Sequence, residues 1–198
     1  MEALPTGNPL IRPLHMDPTT ISPYSNRFES VSRLVLTGFM GSGKTTVGTL
    51  LAERLAWDFL DLDREVELRE GRSVSTIFTD SGESYFRRLE SLTLVSLLGK
   101  KRLVLALGGG TPEELRNKLL LEQTPGTAVI HLAAPFTILV ERCAQDGLGS
   151  RPLLGDLANA EKRFHSRHRI YERLALHTID TAQMNATATV EAILQSLR

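Results

Sequence analysis

Residues 37–48 read TGFMGSGKTTVG, where Gly38, Gly43, Lys44 and Thr45 satisfy the pattern G-x-x-x-x-G-K-[ST]. Glycines in these places let backbone N–H groups close around phosphate oxygens at a helix N-terminus. The lysine would reach the β- and γ-phosphates of a nucleotide, and the threonine hydroxyl would ligate Mg²⁺. The loop follows an apolar run and opens an amphipathic stretch, the context that separates it from a chance glycine-rich turn. Nucleotide binding follows. The reaction does not, because switches, motors and kinases all use such a loop.

Carboxylates and arginines narrow the chemistry. Asp61 and Asp63 end the run DFLDLD (58–63) with Leu62 between them. If a strand continues through both, its period of two puts them on one side. One could then serve a metal and the other a hydroxyl; two solvated turn aspartates are the plainer alternative. The run RLVLALGGG (102–110) ends in Gly108, Gly109 and Gly110. Three residues without side chains let the backbone approach a small ligand at the end of a buried strand, or merely turn flexibly. In GESYFRRLE (82–90) the spacing predicts a helix capped by Asp80, with Glu83 three residues on. Arg87 stands one turn from both Glu83 and Glu90, so a carboxylate could hold its guanidinium, or all three could form an ordinary exposed charged face.

Further along, GLGSRPLL (147–154) carries Arg151 in a glycine-rich segment, and RFHSRHRIYERLA (163–175) carries Arg163, Arg167 and Arg169. A mobile arginine beside a phosphate loop suits a phosphoryl group in transfer, whose oxygens share negative charge. Some of the later arginines are expected to form a solvated helix face. His165 and His168, one turn apart, lack an evident third metal ligand.

These residues need a scaffold, and the chain is long enough to build one. Its 198 residues, 41% hydrophobic, fit a single domain with a core. Lysine plus arginine (23) equals aspartate plus glutamate (23), so no global charge favours nucleic acid or an anionic membrane. The single cysteine, Cys143, fits a reducing compartment, and the cytoplasm is the expected location. No run approaches the roughly 18 apolar residues of a spanning helix, and no secretory or membrane signal is expected. Residues 1–30 hold five of the nine prolines without helical or strand periodicity, and are expected to be a flexible extension to a domain over 31–198.

Strands are predicted at RLVLTG (33–38), DFLDLD, RLVLALGGG, TAVIHLAA (127–134) and LHTIDT (176–181). Most are apolar on successive residues, as strands covered on both faces should be. A helix is predicted over 112–121. Val47, Leu50, Leu51 and Leu55 share one helical face, as do Val190, Ile193, Leu194 and Leu197. Strand then helix, repeated, implies an α/β fold with a parallel sheet between two helical layers.

In order and approximate spacing, GFMGSGKTTVG, FLDLD, GESYFRRLE, LALGGG, RPLL and RHRIYERLA resemble the shikimate kinase family over about residues 33–198. The resemblance implies a P-loop NTPase fold, α/β/α in three layers, with a five-stranded parallel sheet and a mobile lid. It implies ATP and Mg²⁺, with the nucleotide contacted by Gly41, Ser42, Gly43, Lys44, Thr45 and Thr46, by Arg151 in the lid, and by Arg142 against adenine. Asp61 and Thr45 would hold Mg²⁺, the aspartate through water. Asp63 would bind the shikimate hydroxyls and act as base, with Lys44 and Arg151 completing the catalytic set. Arg87, steadied by Glu90, and Arg167 would clamp the shikimate carboxylate, with Gly108, Gly109 and Gly110 lining the pocket.

Shikimate and ATP are then the expected partners of a monomer that engages neither nucleic acid nor membrane. Two departures stand out: Arg169 occupies a place where many members have proline, and the segment from Arg142 to Arg151 differs slightly in length. The rivals are a kinase for gluconate or a nucleoside monophosphate, a shikimate-kinase-like binding module without catalysis, and a GTPase. The last should carry N-K-x-D, which this chain lacks.

Overall fold

A computed structural model describes residues 30–145 and 156–198. Five strands, β1 (Arg33–Thr37), β2 (Asp58–Asp61), β3 (Leu103–Ala106), β4 (Thr127–Ala133) and β5 (His177–Asp180), form one parallel sheet in the order β2-β3-β1-β4-β5. The helices are α1 (Lys44–Leu55), α2 (Leu62–Glu70), α3 (Val74–Ser81), α4 (Glu83–Leu98), α5 (Leu115–Gln123), α6 (Phe136–Gln145), α7 (Leu157–Leu174) and α8 (Ala186–Ser196).

Alternate residues of each strand feed opposite layers, as a period of two requires. Leu34 and Leu36 of β1, with Val104, Ile130 and Leu132, pack against Val47 and Leu51 of α1 and Ile193 and Leu194 of α8. Val35, Leu103, Leu105 and Val129 point the other way, onto Leu94 and Leu97 of α4, Leu121 of α5 and Leu174 of α7. Each such buried aliphatic side chain contributes about 2 kcal/mol by removal from water. The expected three-layer fold is therefore present, and both predicted apolar helical faces are the buried ones.

Because all strands run the same way, their C-terminal ends meet at one edge, where open parallel sheets bind ligands. Local detail there differs from the sequence expectation in four places. The second strand stops at Asp61, whose side chain caps α2 by accepting from the backbone N–H groups of Asp63 and Arg64. Asp63 therefore sits in the first helical turn and not on a continuing strand; burial of Leu62 and the cap win over strand extension. Asp80 does not cap α4. It lies inside α3, itself capped by Ser73, and Gly82, at φ 80°, separates the two helices. The third strand ends at Ala106, short of the glycines. The predicted helix over 112–121 is a 3-10 turn, Thr111–Glu113, followed by α5. Arg169 lies exposed within an uninterrupted α7.

Candidate active site

The loop between β1 and α1 carries the phosphate-binding pattern. Gly43 stands at the helix N-terminus at φ 83°, a left-handed conformation natural to glycine. Gly41 is hemmed in by α6: a Cβ there would lie 2.9 Å from Sγ of Cys143. Lys44 donates its amine to the carbonyls of Gly38 (2.8 Å) and Phe39 (3.1 Å). Its neighbour Thr45 is exposed, and its hydroxyl lies 3.4 Å from Oδ2 of Asp61. With Oδ1 committed to capping α2, Asp61 presents one carboxylate oxygen beside one hydroxyl. Such hard oxygen donors suit Mg²⁺.

The triple glycine is the hub of the second half. A Cβ on Gly108 would come within 2.5 Å of Oδ1 of Asp63, 2.9 Å of Oε1 of Glu90 and 3.1 Å of Oγ1 of Thr111. On Gly109 it would lie 3.3 Å from Nη1 of Arg167 and 3.6 Å from the Tyr171 hydroxyl. On Gly110 it would overlap the guanidinium of Arg87. The glycines are thus required less for flexibility than for space. Side chains from α2, α4 and α7 converge on three consecutive residues that have none.

Two arginines meet there, each with a carboxylate. Arg87 donates Nη1 to Oε2 of Glu90 (2.9 Å) and Nη2 to Oε1 of Glu83 (3.1 Å). Glu90 is fully buried, so this is no exposed charged face. Arg167 donates Nε and Nη2 to Oε2 of Glu113, at 3.0 and 2.8 Å. Arg163 and Arg169 of the same helix are exposed, as expected for part of that arginine run.

Asp63 is the perturbed acid of the site. Burial, then the charges of Glu90 and Asp61, push its carboxyl up to about 6 against the pull of Lys44 and Arg87. A carboxylate poised near neutrality suits proton abstraction. Lys44 and Arg87 act on it from the nucleotide loop and from the arginine pair, so the two halves of the site share one electrostatic field.

Sequence reasoning gave no role to Glu113, the partner of Arg167, nor to Tyr171, Thr111 or His131. Tyr171, one turn after Arg167 on α7, donates its buried hydroxyl to the carbonyl of Gly109, and burial raises its pKa. Its i, i+4 spacing from Arg167 was the available signal. Thr111 donates to Oε1 of Glu90 at 2.6 Å. His131, in register with Thr37 on β1, packs its ring against His168 and Tyr171. Burial, His168 and Lys44 push it down to about 4. His168 is thus engaged with His131 and also lies 3.3 Å from Glu172.

Arg142 lies on α6, which borders the phosphate loop, and donates to the hydroxyl of Thr181 (3.1 Å) and to the Thr181 carbonyl. Arg151 and the proposed lid around it fall outside the described residues, as do residues 1–29 of the expected extension. No helix among the described residues is long and apolar enough to cross a membrane.

The family model described as "Shikimate kinase" matches residues 40–198. The chain belongs to the shikimate kinase family. A shikimate kinase of Persephonella marina is 40% identical over 166 residues, covering 83% of this chain and 98% of the relative. One from Limosilactobacillus fermentum is 41% identical over 167 residues, covering 83% of this chain and 95% of its own. Among solved structures, the Acinetobacter baumannii shikimate kinase in complex with shikimate superposes with a TM-score of 0.75 at 38% identity. That match covers 85% of this chain and 93% of the other. Membership in the shikimate kinase family accords with the three-layer fold and with a loop that serves ATP in a kinase.

Proposed function

We propose that this chain transfers the γ-phosphoryl group of ATP to the 3-hydroxyl of shikimate, giving shikimate 3-phosphate and ADP in chorismate and aromatic amino-acid biosynthesis. The observation that carries the reading is the convergence of Asp63, Arg87 and Arg167 on Gly108, Gly109 and Gly110, with the charge of Lys44 acting on Asp63. Two guanidinium groups match one planar carboxylate, and one aspartate matches a hydroxyl. A small polyhydroxy acid fits that set; a nucleotide base or a protein does not.

In this reading the backbone of Gly41, Ser42 and Gly43 cradles the phosphates with Lys44, Thr45 and Thr46, and Arg142 and Arg151 contribute nucleotide contacts. Arg87 and Arg167 fix the acceptor by its carboxylate. Asp63 takes the proton of the 3-hydroxyl as its oxygen bonds to phosphorus and the bond to the β,γ-bridging oxygen breaks, leaving ADP. Thr45 and Asp61 would hold Mg²⁺, which when bound would supply positive charge to offset that of the phosphates. Lys44 and Arg151 add positive charge where negative charge spreads. The rest of catalysis is positioning and exclusion of water. The reading includes a cytoplasmic monomer; the balanced charge of the chain supports only its further part, that neither nucleic acid nor an anionic membrane is a partner.

The test is Asp63→Asn, read by turnover and by ATP titration calorimetry. Turnover should be largely abolished with ATP affinity retained; normal turnover would remove Asp63 from the role of base.

A further inference from the structure

The acceptor clamp has a support that begins in the core. Asn117 of α5, Thr111 of the 3-10 turn and Glu90 of α4 each have no exposed surface, and they stand in line. Asn117 donates Nδ2 to the Thr111 carbonyl at 3.1 Å. The Thr111 hydroxyl donates to Oε1 of Glu90 at 2.6 Å, and Oε2 of Glu90 receives Nη1 of Arg87 at 2.9 Å. The backbone N–H of Thr111 donates to the carbonyl of Gly108 (3.1 Å), so the same residue also closes the glycine turn.

We propose that Thr111 is a positioning residue for acceptor binding: its hydroxyl fixes the plane of the Glu90 carboxylate, and that carboxylate aims Arg87 at the carboxylate of the substrate. The proposal rests on the shikimate reading above. Terminal rotation of a glutamate carboxylate is soft, so one partner does not define its plane. Two donors on its two oxygens do. Without the Thr111 hydroxyl, one oxygen of a fully buried carboxylate lacks that donor, and the group is drawn to turn.

The surroundings make that turn costly for the clamp. A Cβ on Gly108 would lie 2.9 Å from Oε1 of Glu90 and 2.5 Å from Oδ1 of Asp63, and the charge of Glu90 acts on Asp63, so rotation on that side meets a like charge. The other carboxylate on Arg87, Glu83, is 65% exposed along its side chain, and exposed pairs hold weakly. The buried hold on Arg87 is therefore Glu90, and Thr111 sets Glu90. Threonine suits the task, because branching at Cβ restricts χ1 and keeps the hydroxyl aimed.

The experiment is steady-state kinetics of the full chain with shikimate and Mg-ATP, comparing wild type with Thr111→Val and Thr111→Ser. Valine keeps the shape and loses the donor; serine keeps the donor. Thr111→Val should raise KM for shikimate about tenfold, the scale of one hydrogen bond to a charged group. It should lower kcat less than it raises that KM, and leave KM for ATP unchanged. Thr111→Ser should lie within about threefold of wild type. Equal damage by both variants, no effect of valine, or a matching rise in KM for ATP would overturn the proposal and leave Thr111 a packing residue. Should the valine protein fail to fold, Thr111→Cys, with its weak S–H donor, carries the same comparison. A wild-type chain without shikimate-dependent turnover would overturn the underlying reading and the proposal with it. That failure is distinguishable because it appears before any substitution is made.

Discussion

Arg87 and Gly110 occupy adjoining space. A Cβ on the glycine would lie 2.8 Å from Cζ and 2.8 Å from Nη1 of the guanidinium. Gly110 has φ −93° and ψ −9°, which alanine adopts without strain. The restriction on this position is therefore room for the arginine, not backbone freedom.

Gly110→Ala should accordingly displace Arg87 and raise KM for shikimate by about tenfold or more, the scale of one charge-assisted contact, with KM for ATP little changed. Gly109→Ala should do less, because its new methyl would meet Arg167 at 3.3 Å and Tyr171 at 3.6 Å. Kinetics of the two variants with both substrates check the order. The reverse order would contradict the assignment of Arg87 as the more tightly enclosed arm of the clamp.

Asp63 should dominate the acid limb of activity. Its carboxyl, pushed up to about 6 by burial, Glu90 and Asp61, must be ionised to accept a proton, so kcat/KM for shikimate should rise with pH through about 6 and then level. Stability carries the opposite sign. A folded pKa above the ordinary 3.8 means that this contribution is fully present below that value and is lost as pH rises through about 6. Asp63→Asn should therefore melt above wild type at about pH 7 to 8, with the gap closing below about pH 4. A gap that widened toward acid would be inconsistent with a raised pKa.

Asp61 has two separable duties, capping α2 with Oδ1 and facing Thr45 with Oδ2. Asparagine retains a capping oxygen and drops the charge. Asp61→Asn should raise the Mg²⁺ concentration needed for half-maximal activity about tenfold while melting normally in metal-free buffer. Asp61→Ala should also lose about 1 kcal/mol of stability with the cap. An unchanged Mg²⁺ requirement would take Asp61 out of the metal site.

His131 should weaken the fold in acid. Buried, and facing His168 and Lys44, it is pushed down to about 4 from an ordinary 6.5. Its stabilising contribution is thus present above about pH 6.5 and is lost as pH falls toward 4, on the order of 3 kcal/mol in full. His131→Phe keeps a ring against His168 and Tyr171 but cannot charge. Thermal melts should show the variant gaining on wild type as pH drops through that window; parallel melting curves would contradict it.

The five strands, the sandwiched sheet and the phosphate loop were legible because each is written in local pattern: apolar runs, helical faces and a motif in context. The errors arose where a local signal competed with burial. Asp63 continues an alternating run, yet the apolar Leu62 and the cap offered by Asp61 start a helix at once. Asp80 stands at a plausible capping distance from Glu83, yet Gly82 already breaks the chain between α3 and α4. Thr111, His131 and Tyr171 were overlooked because their partners are distant in sequence: Glu90 for the first, α7 for the second, Gly109 for the third. Nothing in spacing reveals that a glycine is demanded by an arginine 23 positions away.

The most direct measurement is ADP release from Mg-ATP in a coupled assay. Shikimate, quinate, gluconate and nucleoside monophosphates serve in turn as acceptor, with Lys44→Ala as blank. Release that depends on shikimate, is much weaker with the other acceptors and disappears in the blank is the predicted result. Release with gluconate or a nucleoside monophosphate in preference to shikimate, or ATP binding without release to any acceptor, would contradict it.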